Sequence, residues 1–243
     1  MDEQLEHSLR RWLNDDAQRE AALLSAGYQG SAYLYEGFID GRSVRLVVKR
    51  AAGGLLTGWF HRLMLRREAR VYERMADIAG VPDSPGFLDD TWLLLEYIDG
   101  ESLKTARYSL DDAEAFYAGL LQVLHDFHGV GVGHGDLKRK DNVLVTVDQQ
   151  PFVIDFGTAV MRDNGLFDRL MFRLVRRFDY NAWIKVKYAS DYSAISAVDA
   201  CWYRPTIVET VIRLLRRFWR TVTFRQARKA RRRARAARSG SAD

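Results

Sequence analysis

Apolar and polar positions divide the chain into segments of different period. Between residues 2 and 25, Leu5, Leu9, Trp12 and Leu13 recur at helical spacing. They predict a packing helix closed at Gly27. Residues 31–50 switch to apolar runs on either side of Ile39-Asp40-Gly41-Arg42. Asp-Gly between such runs predicts a tight β-hairpin. Residues 55–79 return to a helical pattern with a strongly basic face, and Pro82, Pro85 and the glycines at 80 and 86 end it. Short strands follow at 87–88 and 91–97, around Asp89-Asp90. A helix capped by Ser109 or Asp111 then runs to Gly129, with Ala115, Phe116, Leu120, Val123, Leu124 and Phe127 on or near one face. His125 and His128 flank its end in packing or capping positions. Apolar runs at 143–145 and 151–154 flank a turn at 148–150 and predict a second hairpin. Further on, Leu166, Phe167, Leu170, Met171, Leu174, Val175 and Phe178 form a stripe expected to pack against neighbours. Pro205 opens a last helix through Ile207, Val211, Leu214, Leu215, Phe218, Trp219 and Val222.

Helices and antiparallel hairpins in this order give an α+β fold. The most informative stretch is HGDLKRKDNVLVTVDQQPFVIDFG, residues 134–157. It reads as a loop, a hairpin and a second loop, which would gather Asp136, Asn142 and Asp155 at one end of the hairpin. Two carboxylates and an amide are oxygen donors that suit a hard cation such as Mg²⁺ carrying phosphates. Paired cysteines and clustered histidines of a zinc site are absent from the sequence.

This stretch resembles the catalytic core of the protein-kinase-like superfamily, whose catalytic loop and Asp-Phe-Gly motif it matches. The resemblance covers residues 27–160. It implies a compact two-lobed fold with a shortened C-terminal lobe: residues 1–97 as the first lobe with an extra helix, 98–224 as the second, and 225–243 as a basic tail. It also implies roles. Asp136 would accept or orient the acceptor's hydroxyl proton, and Lys138 would neutralise the migrating γ-phosphoryl group. Asn142 and Asp155 would hold Mg²⁺, and His134 would order the loop. Lys49, at the end of an apolar strand, would meet the α and β phosphates of ATP. Glu68, 19 residues further on, would orient it, with Glu73 as the alternative partner. Read alone, Lys49 is equally an edge charge and Glu68 a surface partner of a nearby arginine. Gly30 and Ser31 would cover the phosphates, although Tyr28 and Tyr33 stand where the family has its first and third glycines. The backbone of Glu96 and Ile98 would read the adenine edge against an apolar wall that includes Leu94. One departure concerns register. Asp141 occupies the family's amide position, yet Asn142 precedes Asp155 by the usual 13 residues. An extra residue within 139–141 accounts for this, leaving Asp141 as a possible second carboxylate.

Bacterial kinases of lipopolysaccharide core sugars look similar in their His-Gly-Asp loop, short second lobe and action at the inner membrane face. That looser resemblance implies a glycolipid acceptor. A small RIO-like Ser/Thr protein kinase with a protein acceptor, or a pseudokinase that binds without transfer, are the other readings.

Composition narrows this further. The chain has 243 residues, 47% of them hydrophobic, and suits a globular fold. Its formal charge of +5 favours an anionic partner. Only Cys201 is present, so no intramolecular disulfide forms and a cytoplasmic setting is expected. The start lacks the pattern of a secretory signal. The basic end, FRQARKARRRARAARSGSAD, is open to three readings: a solvated tail, nucleic-acid binding without a specific motif, or contact with an anionic membrane surface.

Overall fold

A computed structural model of the chain describes residues 2–26, 30–51, 53, 58–89 and 91–204. Gly27, Tyr28, Asp90, the start of the 55–79 pattern and everything from Pro205 onward lie outside the described residues. So do the expected last helix and basic tail. Contacts divide the chain into residues 1–202 and 203–243; the elements below belong to the first unit.

The first helical segment is two helices and a strand. α1 (Glu3–Leu13) ends at Asn14, and α2 (Asp16–Ala21) begins with Asp15 accepting from the Gln18 N–H at 3.0 Å. Adjacent Asn and Asp are poor in a helix interior and good at its ends, so the periodicity breaks there. β1 (Leu23–Ala26) pairs with β2 (Gly30–Ile39), a strand the helical pattern concealed. β2 turns into β3 (Arg42–Ala51) through Asp40 at φ 50° and Gly41 at φ 76°, the left-handed pair that a two-residue hairpin needs. After α3 (Gly58–Arg74), β4 (Gly86–Leu88) and β5 (Trp92–Glu96) complete an antiparallel sheet in the order β1-β2-β3-β5-β4.

Period-two alternation gives this sheet two jobs. Leu46 and Val48 point to one face, where α1 lays Leu9, Trp12 and Leu13 over Tyr33, Tyr35 and Leu94. Burial of each large side chain there is worth about 1.5–3 kcal/mol. Tyr35 fixes the helix by donating to Ser8 Oγ at 2.7 Å. Val47 and Lys49 take the opposite face, towards α3.

The chain then passes through residues 97–99 to β6 (Gly100–Ser102) and α4 (Leu103–Ala106). α5 (Ala113–Gly129) is capped by Asp112, whose carboxylate accepts from the Ala115 N–H at 2.9 Å. Ser109 and Asp111 do not cap it. The helix starts later than expected, and Ser109 Oγ instead donates to the Ala106 carbonyl at the end of α4. β7 (Val132–Gly133), β8 (Val143–Thr146), β9 (Pro151–Val153) and β10 (Val160–Met161) follow. β8 and β9 are the second hairpin, and β6 adds a third strand to it. α6 (Leu166–Lys187) packs on α5, with Trp183 Nε1 donating to the Tyr117 carbonyl at 2.9 Å. Its first turns depart from the expected packing: Leu166, Phe167 and Leu170 are exposed. The helix crosses β7 where Val175 meets Gly133, so the preceding turns run out beyond the strands.

Candidate active site

The cleft beside α3 is organised by Lys49. Its Nζ lies 2.7 Å from Glu68 Oε1 and 3.4 Å from Asp155 Oδ1. Glu68 is buried on the inner face of α3 with Leu65 and Tyr72, so it, rather than Glu73, is the partner. Burial works against the Lys49 ammonium, but the charges of Glu68, Tyr72 and Asp155 outweigh it and hold the lysine above its ordinary value. Burial raises the Tyr72 phenol as well, against the pull of Lys49.

Asp155 sits in a left-handed backbone conformation, φ 66° and ψ 67°. For a residue other than glycine this strain costs of order 1 kcal/mol or more and needs support from its surroundings. Support comes from Phe156, whose ring packs edge-on against Tyr72 of α3 and Phe127 of α5 and tilts against His134. His134 is fully buried and joins the two loops. Its Nδ1 accepts from the Asp136 N–H at 3.1 Å and its Nε2 donates to the Ile154 carbonyl at 3.0 Å. Thr158 Oγ1 donates to the His134 carbonyl at 3.1 Å.

Asn142 lies on a 3₁₀ turn, Lys140–Asn142, and is buried. Its Nδ2 donates to the Asp136 carbonyl at 3.2 Å, so its Oδ1 is left for another partner. The neighbouring Asp141 faces away, accepting from Ser102 Oγ at 3.0 Å with Lys104 Nζ at 3.8 Å. That orientation separates the two candidates in the displaced register: the amide turns inward and the carboxylate outward. Asp136 is flanked by Lys138 Nζ at 3.7 Å and Arg139 Nη1 at 3.9 Å.

These elements enclose a cleft of about 600 Å³ walled by Gly30, Ser31, Lys49, Glu68, Asp136, Arg139, Asp155 and Thr158, among others. Gly30 comes so close to β3 that a Cβ there would stand 2.1 Å from the Arg50 carbonyl oxygen. Lys138, Asn142, Glu96 and Ile98 are not among its wall residues. The register explains the position of the last two. Lys49 faces Leu93 across the β3–β5 ladder and Leu46 faces Glu96; three residues along a strand is about 10 Å. Glu96 and Ile98 therefore lie further along the sheet edge from Lys49, on the scale of a nucleotide's span from base to phosphates. Glu96 Oε2 accepts from the Asp83 N–H at 3.1 Å, whereas the Ile98 N–H has no partner among the described residues.

The oxygen donors of Asp136, Asn142 and Asp155 fit a hard cation better than a soft one. No group of three or more His, Cys, Asp or Glu residues stands ready to hold a metal among the described residues. A cation here would therefore lean on the amide and on phosphate oxygens.

Sequence reasoning missed Asp179. This carboxylate on α6 is fully buried. It accepts from the His134 N–H at 2.8 Å and the Gly135 N–H at 2.9 Å, and from His128 Nε2 at 3.0 Å. It thus pins the backbone just before Asp136. The available signal was an acid standing on the buried face of α6, with Phe172, Ala182 and Trp183. His128 packs here as expected of a structural histidine. Burial lowers its value, against the hydrogen bond and charge of Asp179, with Arg176 and His125 adding to the lowering.

No protein-family profile matches the chain. It is similar to serine/threonine-protein kinase AfsK of Streptomyces griseus, at 32% identity over 143 residues, or 56% of this chain and 17% of that one. It is 28% identical over 153 residues to the probable serine/threonine-protein kinase PknB of Lactococcus lactis, covering 59% of this chain and 24% of that one. Serine/threonine-protein kinase D of Synechocystis matches at 35% over 72 residues, 29% of this chain and 14% of the relative. The chain thus spans less than a quarter of the length of these relatives. The similarity supports a place in the protein-kinase-like superfamily. Among the described residues no helix is long and apolar enough to cross a membrane.

Proposed function

We propose that the chain is an ATP-dependent phosphotransferase with an alcohol acceptor. The observation that carries this reading is Lys49 held between Glu68 and Asp155 above a cleft that Asp136 also lines. Lys49 is positioned to bind the α and β phosphates, and Gly30 and Ser31 to cover them by backbone. Asp155 and the Asn142 amide oxygen would hold Mg²⁺, which when bound neutralises charge on the phosphates. Asp136 takes or orients the proton of the incoming hydroxyl. The acceptor oxygen bonds to the γ-phosphorus as the bond to the β,γ-bridging oxygen breaks, and ADP leaves. Lys138 meets the charge on the transferred group. Little covalent chemistry is asked of the protein, since positioning and charge dominate such transfers.

We assign the acceptor to a sugar hydroxyl of a glycolipid such as lipopolysaccharide core. The short link from β10 to α6, residues 162–165, supports this, because it provides little chain on which to seat a protein substrate. A Ser/Thr hydroxyl of a protein is the second reading, favoured by the names of the relatives. Peripheral attachment to an anionic membrane surface through residues 225–243 rests on their basic sequence alone. The deciding experiment incubates the full chain with γ-labelled ATP and cell lysate, then separates glycolipid from protein. Label in glycolipid is expected; label confined to protein moves the acceptor to the second reading. Absence of label in both, with ATP left intact, refutes the phosphotransferase.

A further inference from the structure

α6 has two sides of opposite character. Asp168, Phe172, Val175 and Asp179 fall on one line along the helix, and Leu166, Leu170, Arg173 and Arg177 on the line opposite. The first line faces inward: Phe172 and Asp179 are buried, Asp168 and Val175 half-buried. The second faces out. Leu166 is 84% exposed, Leu170 59%, and Phe167 beside them 71%. Three large apolar side chains left bare within five residues form a patch rather than scattered single exposures. Arg169, Arg173 and Arg177 are exposed alongside it.

The acids nearby do not answer these arginines. Asp163 is held by Arg74 at 2.7 Å, and Asp168 and Asp179 stand on the inward line. Among the described residues no salt bridge reaches Arg169, Arg173 or Arg177. This combination selects the occupant. A second copy of the chain would set arginines against arginines, which costs free energy. Residues 205–222 would do the same, since their sequence carries Arg213, Arg216, Arg217 and Arg220. An anionic phospholipid surface meets both demands: it takes leucine and phenylalanine at its acyl boundary, and its head groups answer the arginines. α6 is not apolar enough to cross a membrane, so it lies in the interface.

We propose that the first turns of α6 dock on an anionic phospholipid bilayer, with Leu166, Phe167 and Leu170 in the head-group boundary and Arg169, Arg173 and Arg177 against lipid phosphates. This surface is separate from the basic end of the chain and lies close to the site. A Cβ on Gly135, the residue before Asp136, would stand 3.6 Å from Val175 Cγ1. At 1.5 Å of rise per residue, Leu170 lies about 8 Å and Phe167 about 12 Å further along the helix. A lipid-linked sugar therefore reaches Asp136 while its acyl chains stay in the bilayer. That consequence rests on the glycolipid acceptor; the docking itself does not.

The test is co-sedimentation of the full chain with vesicles of phosphatidylethanolamine and phosphatidylglycerol. Phe167→Ser and Leu170→Ser change exposed side chains and spare the core; each is expected to weaken binding roughly tenfold. Arg173→Gln is expected to weaken it roughly fivefold. Val147→Ser, the same kind of change at another exposed position, is the control and is expected to bind as wild type. Equal affinity in all variants overturns the surface, because binding then resides elsewhere in the chain. Equal weakening by Val147→Ser overturns it too. Vesicles of phosphatidylcholine alone are expected to bind more weakly, and equal binding refutes the role of the arginines. A nitrobenzoxadiazole label on Leu170→Cys, in a Cys201→Ser background, is expected to brighten and shift to the blue with the anionic vesicles; an unchanged spectrum overturns the docking. Sedimentation without lipid is expected to show a monomer. A dimer that Phe167→Ser dissociates gives the patch to a second copy instead. Docking through these residues with no label transferred to glycolipid keeps the surface and refutes the glycolipid acceptor.

Discussion

Asp179 offers the sharpest stability test, because it needs no knowledge of the acceptor. Asp179→Ala removes the acceptor of three hydrogen bonds, from His134, Gly135 and His128, at a site with no exposed surface. Each buried donor left unmade costs about 1–3 kcal/mol. Partial relaxation and an entering water reduce the sum to about 4 kcal/mol. For a chain of this size that lowers Tm by roughly 8–16 °C. Asp179→Asn is gentler. Its remaining oxygen can take one N–H, while its amide donors face another, so about 2 kcal/mol is expected. Thermal unfolding followed by circular dichroism reads both variants. The order wild type, Asn, Ala in Tm is the expected result. An Ala variant that melts within about 2 °C of wild type would refute the claim that this carboxylate holds the loop backbone. Transfer measured well below Tm adds a second readout. Loss of kcat with little change in KM for ATP is expected, since His134 and Gly135 immediately precede Asp136 while Lys49 is untouched.

Three further perturbations bear on other parts of the site. Asp155→Asn keeps a residue type that tolerates the left-handed φ of 66°; it should fold normally and lose at least about a hundredfold in transfer, and undiminished turnover would remove Asp155 from the reaction. Glu68→Ala leaves Lys49 with only Asp155 at 3.4 Å and should cost about 3 kcal/mol, whereas Lys49→Met combined with Glu68→Leu should recover part of it. A double-mutant cycle with a coupling below about 0.5 kcal/mol would show that the pair is not coupled. His128 sets a pH dependence. Its folded value is lowered, so the unfolded chain takes up a proton more readily. Stability is then full above the unfolded histidine value of about 6.5 and falls as pH drops through the folded value. His125, lowered by burial, slopes the same way. His128→Asn, which can still donate to Asp179, should flatten urea-unfolding stability between pH 7 and pH 5; an unchanged slope would assign the effect elsewhere.

What the sequence disclosed and what it withheld divide along the range of the interactions. The two hairpins were legible because turn chemistry is local: Asp40-Gly41 supplies its own left-handed pair. The Lys49–Glu68 pairing was legible only through the 19-residue interval of the kinase-like pattern, because read alone Lys49 was equally an edge charge and Glu68 a surface partner of an arginine. The first segment was misjudged where Asn14 and Asp15 interrupt a helical period and β1 begins with exposed residues that carry no alternation. The exposed start of α6 was misjudged because an apolar stripe does not say where its partner strands stop. Asp179 was invisible for the same reason at longer range: its partners lie 44 to 51 residues earlier, and no spacing rule spans that interval.

The displaced amide shows how a local irregularity can be settled by tertiary contacts. The residues from Asp136 to Asn142 contain one more position than the superfamily pattern, and either Asp141 or Asn142 had to face inward. Ser102 decides it. β6 pairs with β8, which carries Ser102 across to the 3₁₀ turn, where its hydroxyl engages Asp141. With Asp141 held outside, the extra residue is absorbed as a turn on the outer rim, and Asn142 keeps its place immediately before β8. The inserted position is thus taken up outside the cleft, and Asn142 and Asp155 keep their spacing across the hairpin. Ser102→Ala tests this account of the register. It frees Asp141 to turn inward in place of Asn142 and should weaken Mg²⁺-dependent binding of a nonhydrolysable ATP analogue severalfold in calorimetry; an affinity equal to wild type would mean that this hydroxyl does not set the register.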